Sequence, residues 1–153
     1  MKKKILLGLL LAFLAIQLFR PEKNKSEVKE VNDIAAVYQV PAETGRLLQT
    51  SCYDCHSNNT NYPWYANIQP VAWWLNNHIV EGKEELNFSA FGTYSLKKQA
   101  HKLDEVAELV ANGDMPLSSY TIIHGNAKLN DMQKKQLADW ANSLKTQIEA
   151  KVK

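Results

Sequence analysis

Two cysteines and a histidine, at Cys52, Cys55 and His56, constrain this chain more than any other feature of its sequence. On a helical turn, residues three and four apart lie on one face, so the three side chains can reach the same flat ligand. The Cys-x-x-Cys-His spacing is the attachment pattern of c-type haem. The sequence therefore predicts one haem c, bound covalently through Cys52 and Cys55, with His56 as the proximal iron ligand.

Other uses of a Cys-x-x-Cys pair fit this chain less well. A thioredoxin-like dithiol follows a strand, whereas residues 42–51 form a helix or loop pattern without a β-branched run. A structural zinc site needs about four ligands, and the 153 residues include only two cysteines. A simple disulfide would leave His56 without a role. Haem attachment is therefore the favoured interpretation.

Residues 1–20 have the pattern of an export signal. Three lysines at positions 2–4 precede an apolar run from Ile5 to Phe19, interrupted by Gly8 and Gln17. The run would measure roughly 22 Å as a helix, against roughly 30 Å for the hydrocarbon core of a bilayer. No small-x-small cleavage site follows it, so we favour an uncleaved anchor that attaches the protein to the periplasmic side of the bacterial inner membrane. Cleavage and secretion to the periplasm are the alternative.

Charge and composition divide the rest of the chain. Residues 21–33 are charged and poor in apolar side chains, which predicts a tether, and residues 34–150 are the predicted haem domain. The formal net charge is +2, but four of the 18 basic residues lie in the first 20 positions, which leaves 14 against 16 acidic residues. Nothing in this balance indicates nucleic acid as a partner.

Four amphipathic helices are predicted around the attachment motif. The first follows Pro41, with Gly45 allowing another helix to approach closely, and the second opens at Pro70 and ends near Gly82. The third is capped by Ser95 and stopped by Gly113, and the last begins at a capping box of Asn130 and Gln133. The predicted fold is all-α and cytochrome c-like, with four to five helices around one haem and an N-terminal hydrophobic segment.

A sixth ligand for the iron is predicted at Met115. Pro116 places this methionine in a loop after the third helix, and a loop thioether C-terminal to the attachment motif suits a His/Met haem. His78 and His124 are the alternative distal ligands. His78 shares an apolar stripe with Val71, Trp74, Leu75 and Ile79, and His124 lies in a later loop. Trp64 and Trp74 are further candidates for contact with the haem.

Several motifs together resemble a known family. They are Cys52-Tyr-Asp-Cys-His-Ser57, Tyr62-Pro-Trp-Tyr65, Asn87-Phe-Ser89 and Gly113-Asp-Met-Pro116. Over residues 30–147 the chain resembles the bacterial haem-binding domain family, whose members are envelope proteins related to mono-haem cytochrome c. The resemblance implies attachment at Cys52 and Cys55, His56 as proximal ligand and Met115 as distal ligand.

Two functions fit a haem of this kind. With His56 and Met115 on the iron, the protein is a one-electron carrier that meets redox partner proteins in the envelope. With an open or displaceable distal site, it is a ligand sensor or a peroxidase-like enzyme, and His78 or His124 would act as acid and base. The sequence shows no distal His/Arg pair, so we favour the carrier over the enzyme.

Overall fold

The structure, a computed structural model, describes residues 1–152 and contains no strand in that range. The prediction of an all-α chain is confirmed. The α-helices are α1 (Lys2–Ile16), α2 (Ile34–Val37), α3 (Ala42–Ser51), α4 (Tyr53–His56), α5 (Val71–Glu85), α6 (Leu96–Asn112), α7 (Ser118–Thr121) and α8 (Asp131–Glu149). Short 3-10 helices lie at Trp64–Asn67, Phe88–Thr93 and Gly125–Ala127.

Local capping signals set the ends of the longer helices. The Ser95 side chain accepts a hydrogen bond from the Lys98 amide and begins α6. Asn130 and Gln133 form the reciprocal capping box that begins α8. Gly113, with φ of 82°, ends α6 in the left-handed conformation that favours glycine. These three predictions from sequence are confirmed.

The main core lies between α6, α8, α3 and the Phe88–Thr93 turn. Its fully buried members include Leu103 of α6, Leu137 and Ile148 of α8, Leu48 of α3 and Phe88. Burial of each such side chain contributes about 1.5–3 kcal/mol to the free energy of unfolding. This core supports α4, because Cys52 and Tyr53 pack against it.

Helix α5, the second of the four predicted helices, buries fewer residues of its predicted apolar stripe than expected. Leu75 and Ile79 are buried in a small second core, but Val71 and Trp74 are 37% and 46% exposed. The predicted close approach at Gly45 is also wrong, because a Cβ there would meet only Val40 at an ordinary 3.8 Å. The apolar period of this segment predicts the helix correctly, but the buried face of α5 is narrower than the predicted stripe.

The segment predicted as a charged tether, residues 21–33, follows the surface of the helices that come after it. Asn24 uses both its backbone and its side chain: its amide donates to the Tyr62 hydroxyl at 2.7 Å and its carbonyl accepts from the Thr60 amide at 3.1 Å. Its side-chain amide donates to the Ser57 carbonyl at 2.8 Å, and its Oδ1 accepts from Lys83 Nζ at 2.6 Å. Asn24 is therefore joined both to the turn after α4 and to α5.

The end of α1 also contacts the later part of the chain. Gln17 and Gln69 exchange two hydrogen bonds, and the Phe19 carbonyl accepts from Gln69 Nε2 at 2.7 Å and from Trp73 Nε1 at 2.9 Å. Within α1 itself no residue is buried. Among residues 1–152, no helix combines the length and the apolar content needed to cross a membrane.

Candidate haem site

The attachment turn is a short helix of its own. Helix α3 ends at Ser51, and Cys52 lies between it and α4, with the His56 amide donating to the Cys52 carbonyl at 2.9 Å. Cys52 and Cys55 are free thiols and both are partly buried. The turn thus presents two thiols and one imidazole from five consecutive residues, as the spacing predicts.

His56 is held in the tautomer that a metal ligand needs. Its Nδ1–H donates to the Leu86 carbonyl at 2.9 Å, which leaves Nε2 with a free lone pair. Its ring meets Phe88 edge-on, with 6.4 Å between ring centroids. Burial lowers the pKa of His56, against the raising effect of the Leu86 and Gly82 carbonyls, and so favours the neutral imidazole.

The two cysteines are protonated thiols at neutral pH. Burial raises the pKa of Cys52 to about 12, with a further contribution from Cys55. Burial and the nearby Asp54 raise the pKa of Cys55 to about 11. Disulfide oxidoreductases depend on a lowered cysteine pKa, so this arrangement disfavours thiol–disulfide exchange. Addition of a thiol across a vinyl group, by contrast, would need no net oxidation or reduction.

A cleft surrounds the attachment turn. It has two neighbouring parts, with volumes of about 440 and 400 Å³, and each is within the usual range of about 300–1,000 Å³ for ligand sites. Both parts are lined by Cys52, His56 and Met115. Three of the four predicted haem residues therefore line both parts of the cleft, and the fourth, Cys55, lines the first part.

Ser51 provides a separate sign that the cleft suits a ligand. Its hydroxyl is the one buried side-chain oxygen or nitrogen in residues 1–152 that has no hydrogen-bond partner. Ser51 lines both parts of the cleft, directly before Cys52. Buried polar groups normally find a partner, so an unpaired hydroxyl here is consistent with a bound group that carries polar atoms.

The Met115 loop follows from the way α6 ends. The Gly113 amide donates to the Val110 carbonyl at 3.2 Å and the Asp114 amide to the Leu109 carbonyl at 2.9 Å. This paired arrangement is the Schellman motif, which reverses the chain at a glycine. Met115, whose amide also donates to Leu109, is partly buried, packs on the main core and lines the cleft.

A scan against protein-family models matched the family described as "Haem-binding domain" over residues 11–143. The chain belongs to the haem-binding domain family. A search of curated proteins and a search of solved structures each found no match. The family match confirms the resemblance drawn from the motifs and establishes that this haem-binding domain takes a haem cofactor. The free thiols, the neutral His56 and the cleft fit that group.

His78 and His124, which are the predicted alternative distal ligands in this haem-binding domain, occupy different environments. His78 lines the first part of the cleft, and its Nδ1–H donates to the Trp74 carbonyl at 2.9 Å, which leaves Nε2 free to accept. His124 donates from Nδ1 to the Tyr120 carbonyl at 3.1 Å and accepts at Nε2 from the Tyr65 hydroxyl at 3.2 Å. Both ring nitrogens of His124 are therefore engaged, whereas His78 keeps one available.

The two predicted tryptophan contacts also differ. Trp74 packs against His78, with 4.4 Å between ring centroids, and lines a small cavity beside Cys55. Trp64 is 76% exposed and does not line the cleft. The structure thus places Trp74 next to the haem-binding domain's attachment turn and keeps Trp64 on its surface.

Gly82 is a site residue that the sequence pattern indicates only as the end of a helix. It lies inside α5, where a Cβ would be 2.8 Å from the Cys55 carbonyl oxygen and 3.2 Å from the Cys55 Cβ. A glycine in a helix interior is unfavourable unless a close approach requires it, and that was the signal available in the sequence. Gly82 allows α5 to lie directly on the attachment turn.

We expect Gly82→Ala to destabilise the protein and to lower the yield of bound haem. The new methyl group meets a backbone carbonyl, so α5 and α4 must separate. Overpacking of about 1–3 kcal/mol exceeds the gain of about 1 kcal/mol in helix propensity. The measurements are the urea midpoint and the haem-to-protein ratio. Gly125→Ala, where a Cβ has no neighbour within 4 Å, is the matched control. Equal stability of both variants would contradict the close contact.

Proposed function

We propose that this protein is a one-electron carrier that holds a single haem c, covalently bound by Cys52 and Cys55 and ligated by His56 and Met115. The observation that carries the proposal is that all four side chains line one part of the cleft. When bound, haem supplies an iron that takes up or releases one electron. An imidazole and a thioether together leave no coordination position for substrate, and the thioether favours the reduced iron.

The chain's own residues support this use. The Leu86 carbonyl fixes the His56 ring, so the ligand does not rotate between oxidation states. Apolar side chains, among them Leu86, Phe88 and Val110, line the second part of the cleft together with the charged residues Glu85, Lys102, Glu105 and Glu108. The apolar part of this lining limits the access of water, which reduces the solvent reorganisation that accompanies a change in charge.

The N-terminal segment supports an envelope location. We propose that residues 1–20 direct the chain to the bacterial envelope, with residues 34–150 as the haem domain outside the cytoplasm. The apolar segment that includes α1, a helix not long and apolar enough by itself to cross a membrane, then stays as an anchor or is removed by cleavage, and the mass of the mature protein distinguishes the two. The partners are redox proteins of the envelope.

A second function is favoured by one observation. The free Nε2 of His78, in the same part of the cleft as His56, could hold a proton beside a ligand on an open distal site. The protein would then be a haem-based sensor or a peroxidase-like enzyme. This function requires Met115 to be off the iron or readily displaced.

Visible spectra of the mature protein test the first function against the second. For an electron carrier we expect covalent haem, a low-spin ferric spectrum with a methionine-to-iron charge-transfer band, and no change of the reduced spectrum on addition of carbon monoxide. A carrier needs no free coordination position, which is the physical reason for the last result. A high-spin ferric spectrum or rapid carbon monoxide binding would overturn the carrier and support the second function.

A further inference from the structure

The loop that carries Met115 is fixed at both of its ends. Its upstream end is the Schellman motif of α6, described above. Its downstream end is α7, where the Tyr120 amide donates to the Leu117 carbonyl at 3.0 Å. Between the two ends, Met115, Pro116, Leu117 and Tyr120 all line the first part of the cleft. The position of α7 therefore bears directly on where the methionine lies.

Helix α7 is joined to the attachment turn by one side-chain hydrogen bond. The Tyr120 hydroxyl donates to Asp54 Oδ2 at 2.7 Å, and Asp54 lies between Cys52 and Cys55. The acceptor is a carboxylate in a partly buried place, so this is the stronger, charge-assisted kind of hydrogen bond. The contact connects residues that are 66 positions apart.

Both partners of this hydrogen bond are held by further contacts. The second carboxylate oxygen of Asp54 accepts from the Asn61 amide at 2.8 Å, and its carbonyl accepts from the Thr60 hydroxyl at 2.6 Å. The Tyr120 ring stacks on His124, with 4.2 Å between centroids and 22° between planes. If the hydrogen bond is lost, these separate contacts hold Asp54 and Tyr120 independently of each other, so the two side chains no longer move together.

We propose that Asp54 and Tyr120 are positioning residues that hold the Met115 thioether over the haem attached to the same turn. The inference rests on the proposed ligation by Met115. Pro116 fixes one backbone dihedral directly after Met115, so a movement of α7 is transmitted to the methionine through a short and stiff segment. One pair of residues thus couples the turn that binds the haem to the loop that supplies the sixth ligand.

Carbon monoxide binding to the reduced holoprotein tests this role. Tyr120→Phe keeps the stacked ring and removes only the hydroxyl. Loss of a hydrogen bond to a charged group should raise the population with the thioether displaced, and hence the carbon monoxide association rate, about ten- to hundredfold. The methionine-to-iron charge-transfer band should weaken in parallel, while covalent haem content is unchanged. A merely structural role would move stability and leave this band intact.

Two further variants complete the experiment. Asp54→Ala should raise the association rate at least as much as Tyr120→Phe, because it also removes the acceptor of the Asn61 amide, and the double variant should bind carbon monoxide no faster than Asp54→Ala. Tyr38→Phe is the matched control, because it loses a hydroxyl that is bonded to Gln99 on α6 and does not line the cleft. We expect that control to bind carbon monoxide as slowly as the unaltered protein.

The outcomes separate this inference from the proposed function. If the unaltered protein already binds carbon monoxide rapidly, the ligation by Met115 is wrong and the positioning role is overturned with it. If the unaltered protein binds slowly and either single variant with full haem content also binds slowly, only the positioning role is overturned. Faster binding in both variants, with slow binding in the Tyr38→Phe control, supports it.

Discussion

Met115→Ala is expected to leave the haem covalently bound while lowering the reduction potential and opening the iron to carbon monoxide. The thioether favours the reduced iron, and its replacement by water or another base removes that preference. Axial ligands set haem potentials over about 0.8 V, so a fall on the order of 0.1 V or more is expected. Redox titration and the reduced spectrum with carbon monoxide measure both effects.

Two controls separate ligation by Met115 from its packing. Met115→Leu keeps the side-chain volume and removes only the sulfur, so its cost in stability should stay below about 1.5 kcal/mol while the potential still falls. Met132→Ala removes a methionine that is 79% exposed on α8 and should change neither quantity. A Met115→Leu variant with the original potential would show that the thioether is not on the iron.

The alternative ligand can be tested in the same series. If His78 binds the iron once Met115 is gone, Met115→Ala will show a low-spin spectrum without the methionine-to-iron band. Adding His78→Ala to that variant would then produce a high-spin iron. The free Nε2 of His78 within the cleft is the reason for this experiment.

Replacing both Cys52 and Cys55 by alanine should lower the thermal stability of the fold more than any of the other substitutions does. No thioether can then form, so haem should be removed by acid extraction under denaturing conditions. A ligand whose effective concentration is about a thousand times its dissociation constant contributes about 4 kcal/mol to the free energy of unfolding. For a chain of this size, that corresponds to a fall in Tm of about 8–16 °C. Far-UV circular dichroism during heating measures the fall.

The single variants Cys52→Ala and Cys55→Ala provide the comparison for the double variant. Each keeps one thiol on the attachment turn, so each should retain haem through one covalent bond. A double variant with an unchanged Tm and native circular dichroism would contradict the view that covalent haem stabilises the domain. Haem that resists acid extraction from the double variant would contradict attachment at these cysteines.

Local rules made most of the helices predictable from sequence. Caps such as Ser95 and the Asn130–Gln133 box act over three residues, and Gly113 stops α6 through its own backbone conformation. The attachment motif is also local, since its three side chains belong to five consecutive residues. These features needed no knowledge of the tertiary structure.

The remaining features of the site depend on contacts between distant parts of the chain. The Leu86 carbonyl that orients His56 is 30 residues away from it. A carbonyl oxygen carries no side-chain signal, so the sequence could not show which one would serve. Asp54 likewise occupies one of the two unspecified positions of the Cys-x-x-Cys-His motif. Its hydrogen bond to Tyr120 depends on where α7 lies in the fold, which the sequence does not indicate.

The contacts of Asn24 and Gln17 have a mechanical consequence. A flexible segment of 13 residues, such as 21–33, would let its ends separate by about 20 Å on average and would let the domain rotate freely. Hydrogen bonds made by Gln17, Phe19 and Asn24 restrict this separation and rotation at the N-terminal end of the segment. The chain that leaves α1 is therefore joined to α5 and to the turn after the attachment motif. If a membrane holds α1, as proposed, these contacts limit the directions in which the cleft can face, and for the proposed carrier they limit the side from which an electron can arrive.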